Sequence, residues 1–190
     1  MKYAKARATI NGYRREIADI RQKMRKAMAE IEAETVTDYE FTTATGVTRL
    51  SELFGAHDDL MVVHNMGRAC PSCTLWADGY NGIHAHVVSR AAFVVTSPDP
   101  PHVQQAFAAS RGWVFPMVSH QGTSFAADMG YARENGGWMP GISVFRRDGA
   151  IMRRVSDAPL SPGDDFCTLW HFFDLLPDGA AGWTPKLSYP

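Results

Sequence analysis

Two cysteines three residues apart, in the run Cys70-Pro71-Ser72-Cys73, are the residues of this chain best suited to do chemistry. The nucleophile of disulfide exchange is a thiolate, and a free cysteine ionises only near a pKa of about 8.5. Such a site must therefore hold the first sulfur where negative charge is favoured. A helix N-terminus does this through its unpaired N–H groups and its dipole. Pro71 suits the first helical position, where a missing N–H costs nothing. Cys73 lies one turn further along, so the two sulfurs share a face. On this reading Cys70 attacks and Cys73 resolves the mixed disulfide. Two other readings stay open: a pair of inert buried thiols, or half of a zinc site. Structural zinc normally takes four ligands, and the one further cysteine, Cys167, forms no second close pair.

Several neighbours could support or divert this chemistry. Arg68 could add positive charge beside Cys70, or point to solvent. His64 could tune Cys70 or hydrogen-bond a substrate, although a satisfied core histidine is its default role. Trp76 and Trp113 read as core residues with one polar edge, and either could line a substrate groove. Asp78 and Asp128 are candidate proton acceptors for Cys73. His84 and His86 would share a face on a strand. With the cysteine pair they could hold copper or zinc, but three closely spaced ligands are lacking. No metal and no cofactor is assigned. Cys167, among Phe166, Leu169 and Phe172, has the setting of a buried inert thiol.

The elements that must position the pair are legible on both sides of it. Leu60 to Met66 is a nearly continuous apolar run, as in a central strand covered on both faces. Gly67 ends it, and a helix follows from Cys70 to about Tyr80, stopped by Asn81-Gly82. Residues 91–96 form a second buried strand, followed by a helix that Ser97 or Asp99 caps and Gly112 ends. Residues 113–118 are extended and 123–130 a short helix. Asp148-Gly149 signals a hairpin between residues 141–147 and 150–155. Asp164 or Asp165 caps a last helix to about Leu175. Upstream, 35–43 reads as an edge strand, Gly46 as a turn and 50–54 as a helical turn. Strand–helix–strand units imply parallel pairing and the hairpin adds antiparallel strands. The fold class is therefore α/β, with a mixed central sheet and helices on both faces.

Ile10, Tyr13, Ile17, Ile20, Met24, Ala27 and Ile31 recur at steps of three and four. They make one apolar stripe on a long helix over residues 3–34. This divides the chain into an N-terminal basic amphipathic helix, 1–36, and a main domain, 37–190. The stripe is long enough for a helix pair in a homodimer through residues 10–31, or for packing on its own domain.

Apolar residues make up 45% of the chain and charged residues 21%, which predicts one packed core rather than disorder. The net charge of −1 gives no global pull toward nucleic acid. Its distribution is uneven: residues 1–26 hold nine Lys/Arg and two Asp/Glu, so the head carries +7 and the remainder −8. That head could touch an acidic partner, RNA or the acidic body, or be a solvated helix face. No apolar stretch of roughly 7–15 residues follows the first charges, as a secretory signal would require. No run reaches the roughly 18 residues of a membrane span. A cytoplasmic protein is expected, in which three cysteines argue against a structural disulfide framework.

The stretch from His64 to Gly79, containing Gly67-Arg68-Ala69-Cys70-Pro71-Ser72-Cys73-Thr74-Leu75-Trp76, resembles the thioredoxin-like group catalogued as domain of unknown function 899. So do Arg111-Gly112-Trp113-Val114-Phe115-Pro116, Ser143-Val144-Phe145-Arg146-Arg147-Asp148-Gly149 and Phe172-Phe173-Asp174-Leu175-Leu176-Pro177. The resemblance covers most of the chain. It implies a thioredoxin-like three-layer sandwich with an N-terminal helical extension. It also implies a dithiol–disulfide oxidoreductase acting on a disulfide-containing protein or a small thiol. The wider superfamily further implies a cis-proline opposite the cysteine pair, and Met139-Pro140 before the run 141–145 fits that place. There the backbone of Met139 would pair with an extended substrate. Ala69 stands where thioredoxins usually have Trp, and Pro-Ser where they have Gly-Pro. Gly67 stands where peroxiredoxins carry Thr or Ser, against a peroxidase reading, whereas Phe115 to Gly130 resembles a peroxiredoxin-type insertion. A thiol peroxidase and a non-catalytic binding or scaffold protein are the alternatives.

Overall fold

The structure, a computed structural model, describes residues 2–190. The chain begins with a 27-residue helix, α1 (Tyr3–Ala29), none of whose residues is buried. The apolar stripe is thus not packed on its own domain. The helix stops five residues short of the expected 34, because Glu34–Thr35 form a short strand, β1, that pairs with a distant one. Next come a hairpin, β2 (Glu40–Thr43) and β3 (Gly46–Arg49), and one helical turn, α2 (Leu50–Leu53). The core of the fold follows as β4 (Asp59–His64), α3 (Pro71–Val88), β5 (Ala92–Ser97), α4 (Pro101–Arg111) and β6 (Met117–Ser119). The chain closes with α5 (Phe125–Asp128), the hairpin β7 (Gly141–Asp148) and β8 (Ile151–Pro159), and α6 (Thr168–Phe173).

All eight strands form one sheet, in the order β1-β8-β7-β4-β5-β6-β2-β3. β4, β5 and β6 are parallel, and every other pairing is antiparallel. β4 sits in the middle, with His64 opposite Thr96 on one side and Gly141 on the other. Its alternation sends Leu60 and Val62 into one core, with Phe41, Phe54, Phe125 and Phe145. Val63 goes into the other, with Trp76, Tyr80, Phe93, Trp113 and Trp170. Side chains of α2 and α5 cover the first face, and those of α3, α4 and α6 cover the second. This is the expected α/β three-layer sandwich.

α3 runs through the expected stop at Asn81-Gly82 and on to Val88. The amide of Asn81, instead of turning the chain, bonds outward: Nδ2 donates to the Gly112 carbonyl at 3.0 Å and Oδ1 accepts the Val114 N–H at 2.8 Å. Tertiary hydrogen bonds here override a turn signal that is only local. His84 and His86 therefore lie on a helix, where a spacing of two sends them to different faces, and the strand-based metal reading falls. Among the described residues no helix is long and apolar enough to cross a membrane.

Gly141 shows how closely the first face is packed. A Cβ there would collide with the ring of Tyr131, which lies over the start of β7. Gly141→Ala should lower the urea midpoint by the equivalent of about 1–3 kcal/mol, the usual cost of overpacking. The denaturant slope should not change.

Candidate active site

The site begins where β4 ends. Asn65 Oδ1 accepts the Gly67 N–H at 2.8 Å, so an Asx turn redirects the chain. Gly67 has φ +102°, and a Cβ on it would lie 3.0 Å from the Asp99 carboxylate, so both conformation and space require glycine. Asp99 Oδ2 accepts the Arg68 N–H at 2.7 Å, tying this turn to the loop after β5. The Cys70 N–H then donates to the Gly67 carbonyl at 3.1 Å, and α3 starts.

Cys70 is the N-cap of α3 and Pro71 opens the helix, as expected. The Cys70 sulfur accepts the Cys73 N–H at 3.0 Å, taking the place a Ser or Asp oxygen usually fills. The Cys73 sulfur lies 2.6 Å from the same sulfur, and because the shared bond lowers the Cys70 pKa and raises that of Cys73, the Cys73 thiol is the donor once Cys70 ionises. Thr74 reinforces the turn by bonding the Cys70 carbonyl with both its N–H and its hydroxyl. Cys70 is half-buried, while Cys73 is 3% exposed and receives the Met66 N–H at 3.5 Å.

These bonds separate the two thiols. Donation from the Cys73 thiol, then from the Cys73 and Ser72 amides, outweighs the cost of burial and brings the Cys70 pKa down to about 7. Cys73 is pushed up, first by its bond to Cys70 and then by burial and the nearby Cys70 charge. Ionisation thus falls on Cys70 before Cys73, and more of Cys70 is thiolate at neutral pH than the few per cent of a free cysteine.

The other predicted site residues lie apart from the sulfurs, for reasons the fold supplies. Arg68 uses its backbone, not its charge: its side chain is exposed beside His102, Val103 and Phe107, and it does not contribute to the shift of Cys70. His64 points to the face opposite α3. Its Nε2 is 2.8 Å from Ser143 Oγ, and its ring stacks on Tyr131 at 4.1 Å and on Phe125 at 5.3 Å. It is a core histidine, pushed down to about 3 by burial and then by His120 and Arg154. Trp76 is 2% exposed, with Nε1 donating to Asp164 at 3.3 Å, so its indole has no open face for a substrate. Asp78 is held by Arg111 and by the Trp113 indole N–H, and Asp128 takes the Tyr39 and Ser124 hydroxyls, so neither serves Cys73.

Met139-Pro140 requires a correction. Among the described residues no peptide bond is cis. The Met139 N–H donates to the Tyr131 carbonyl at 2.8 Å, and the Pro140 carbonyl accepts the Leu160 N–H at 3.0 Å. The first of these bonds occupies the Met139 N–H that a substrate strand would need. Met139 itself packs against the first core.

The sequence reading missed Asn65 and the site roles of Asp99 and Asp164. Asn65 two residues before Gly67 was a usable turn signal. Asp99 and Asp164 were expected only as helix caps; the caps of α4 and α6 are instead Pro100 and Cys167, and the two carboxylates take the Arg68 N–H and the Trp76 indole N–H, bonds across the fold that leave no local pattern. Asp164 gathers the N–H groups of Ser161, Phe166 and Cys167 together with the Trp76 indole, and so anchors the segment before α6 onto α3. This segment walls a cavity of about 470 Å³ next to the cysteines, lined by Pro71, Ser72, Pro162, Gly163, Trp170 and Trp183. Cys167 is buried and its thiol is pushed up, chiefly by burial, as an inert thiol would be. Among the described residues no group of three or more His, Cys, Asp or Glu could hold a metal.

Comparison with known proteins agrees with this fold. The family described as bacterial protein of unknown function (DUF899) matches residues 5–186. No curated protein matches the chain. Among solved structures, a mutant of PrxQ from Xylella fastidiosa has a TM-score of 0.60 at 15% identity, over 69% of this chain and 87% of that one. Peroxidoxin BcpB from Mycobacterium tuberculosis has a TM-score of 0.54 at 23% identity, over 72% and 88%. Peroxiredoxin Q from Xanthomonas campestris, as a cysteine mutant, has a TM-score of 0.54 at 17% identity, over 64% and 80%. These similarities concern the thioredoxin-type fold.

Two outcomes follow from the titrating groups. Alkylation of Cys70 by iodoacetamide should show a midpoint near pH 7, moving up toward about 8.5 in Cys73→Ala, where its main stabilising donor is gone. An unshifted midpoint in that variant would remove Cys73 as the cause. His64 has a folded pKa far below its unfolded value of about 6.5, so the unfolded chain binds the extra proton as pH falls. Stability should therefore decline by up to about 1.4 kcal/mol per pH unit below pH 6 on account of this group. His64→Gln should lose that part of the slope in urea titrations, leaving the part due to buried His120.

Proposed function

We propose that this chain, which belongs to the DUF899 family of bacterial proteins, is a thiol–disulfide oxidoreductase that works by the Cys70–Cys73 pair. The observation that carries the reading lies at the start of α3: Cys70 Sγ accepts the Cys73 N–H at 3.0 Å and lies 2.6 Å from the Cys73 sulfur. The Cys70 thiolate attacks one sulfur of a substrate disulfide. A Cys70–substrate disulfide forms, and the other substrate sulfur leaves as a thiolate that takes up a proton. Cys73 is held protonated chiefly by its bond to the Cys70 sulfur and by the charge there. Once Cys70 is covalently bound, the bond and the charge disappear and only burial still opposes ionisation; the Cys73 proton then passes to the departing substrate thiolate, with the Met66 N–H to receive the Cys73 charge. Cys73 then attacks Cys70, the second substrate thiol departs, and the pair is left oxidised by two electrons. The substrate is a protein disulfide or a small disulfide, for which the cavity walled by Trp170 and Trp183 offers an apolar bed.

A second reading, thiol peroxidase, is favoured by the peroxiredoxins among the structural neighbours. In that reaction the thiolate attacks a peroxide oxygen and expels hydroxide or alkoxide, and Cys73 then condenses with the sulfenic acid. The leaving groups differ greatly in basicity: water has a pKa of about 15.7 and a thiol about 8.5. Hydroxide departure is helped by a cation at the sulfur. Arg68 points away, and no Arg or Lys is among the groups that shift Cys70, so disulfide exchange fits this site better.

With the reduced protein and insulin as the disulfide substrate, Cys70→Ser should lose essentially all turnover. Cys73→Ser should accumulate a mixed disulfide, visible as a mass increase on the intact chain. Full turnover in Cys70→Ser would sink the proposal, and a protein without turnover in any form would be a binding or scaffold protein. Peroxide consumption far faster than that of free cysteine, with slow insulin reduction, would select the second reading.

A further inference from the structure

α1 is an unusual element for a protein with two complete cores. It is 27 residues long, about 40 Å at 1.5 Å per residue, and no residue on it is buried. Its stripe residues Tyr13, Ile20 and Met24 are 58%, 54% and 57% exposed. A helix of this composition gains most of its stability by burying its apolar face. A second exposed apolar surface lies near the C-terminus, where Phe172, Leu175 and Leu176 are 61%, 71% and 54% exposed. The two surfaces carry opposite charge. Residues 1–26 have a balance of +7, whereas residues 156–180 hold five Asp and no Lys, Arg or Glu.

One contact already joins them. Arg21 forms a two-pronged ion pair with Asp165, through Nε at 3.2 Å and Nη2 at 2.6 Å. That contact brings the start of the acidic segment to the middle of the helix while both apolar faces stay open. Within one chain the surfaces are adjacent yet do not cover each other.

We propose that two copies of the chain close these surfaces on each other, as a two-fold dimer in which the α1 stripe of each copy covers the 166–176 patch of its partner. The occupant is a second copy because one chain carries both halves of the match. Apolar faces oppose apolar faces and basic flanks oppose acidic ones, and a two-fold operation satisfies both pairs at once. Trp170 of α6 and Asp174 just after it also line the wall of the cavity beside Pro71 and Ser72. The partner's basic helix therefore stands at the rim of the candidate active site and favours substrates that carry negative charge.

Light scattering after size exclusion, on the full chain at tens of micromolar, should give twice the chain mass. Ile17→Asp with Ile20→Asp, and separately Phe172→Asp with Leu176→Asp, should each weaken the dimer by roughly a hundredfold or more, as loss of central apolar anchors does. Unchanged urea midpoints for Cys70-dependent activity at high dilution would show that the variants fold. A carbodiimide cross-link on a mixture of isotopically heavy and light protein should join lysines of α1 in one copy to aspartates of 164–178 in the other. A monomeric wild type overturns the proposal, including the case in which another protein covers the helix. So does a dimer that survives either double variant, or heavy–light cross-links confined to α1 against α1.

Discussion

The pairing of β4 on both of its edges is the constraint from which the rest of the molecule follows. Parallel β5 on one side and antiparallel β7 on the other fix the register of its six residues, and a slip by one would exchange its two faces. Leu60 and Val62 would then face the core built for Val63. His64 would lose Ser143, and the turn at Gly67 would no longer lie over Asp99. Because β4 cannot slip, the position where it ends is fixed, and with it the place where α3 begins. Cys70 inherits its environment from that boundary.

The site itself is built mainly from backbone. The bonds that hold Cys70 come from amides of α3's first turn and from the partner thiol, whereas the predicted charge and imidazole, Arg68 and His64, lie apart. An amide donor at a helix start is pre-oriented by the helix, so it needs no further ordering to stabilise a thiolate. A flexible surface arginine would have to give up side-chain entropy to do the same. The difference between the cysteines follows from burial on a single helical turn: the N-cap sulfur is half-open, and the one a turn later is 3% exposed.

Charge organises the molecule on a longer scale. α1 is basic and the segment around α6 is acidic, and the Arg21–Asp165 pair joins them. Asp164 works at the junction of these two scales. It anchors the α6 segment against Trp76, and so couples the cavity beside the cysteines to the acidic apolar surface. Asp78, clamped by Arg111 and the Trp113 indole, does the equivalent work where α3 meets the end of α4.

The sequence by itself determined the features that depend on near neighbours. The apolar run 60–66, the Pro71 helix start, the Asp148-Gly149 hairpin and the stripe of α1 were legible because periodicity and turn chemistry act within a few residues. The Cys70–Cys73 pairing belongs to the same class, since one helical turn sets it. What lay beyond local pattern was decided by tertiary structure. The amide of Asn81, with partners 31 and 33 residues away, kept α3 going through a turn signal. Strand alternation alone turned His64 away from Cys70. The bond from Met139 to Tyr131 took the backbone N–H where a substrate strand had been expected. The bonds by which Asp99 and Asp164 shape the site from a distance were invisible for the same reason, although each residue was legible as a helix-cap candidate. A hydrogen bond across the fold fixes a side chain's role but leaves no period in the sequence around it.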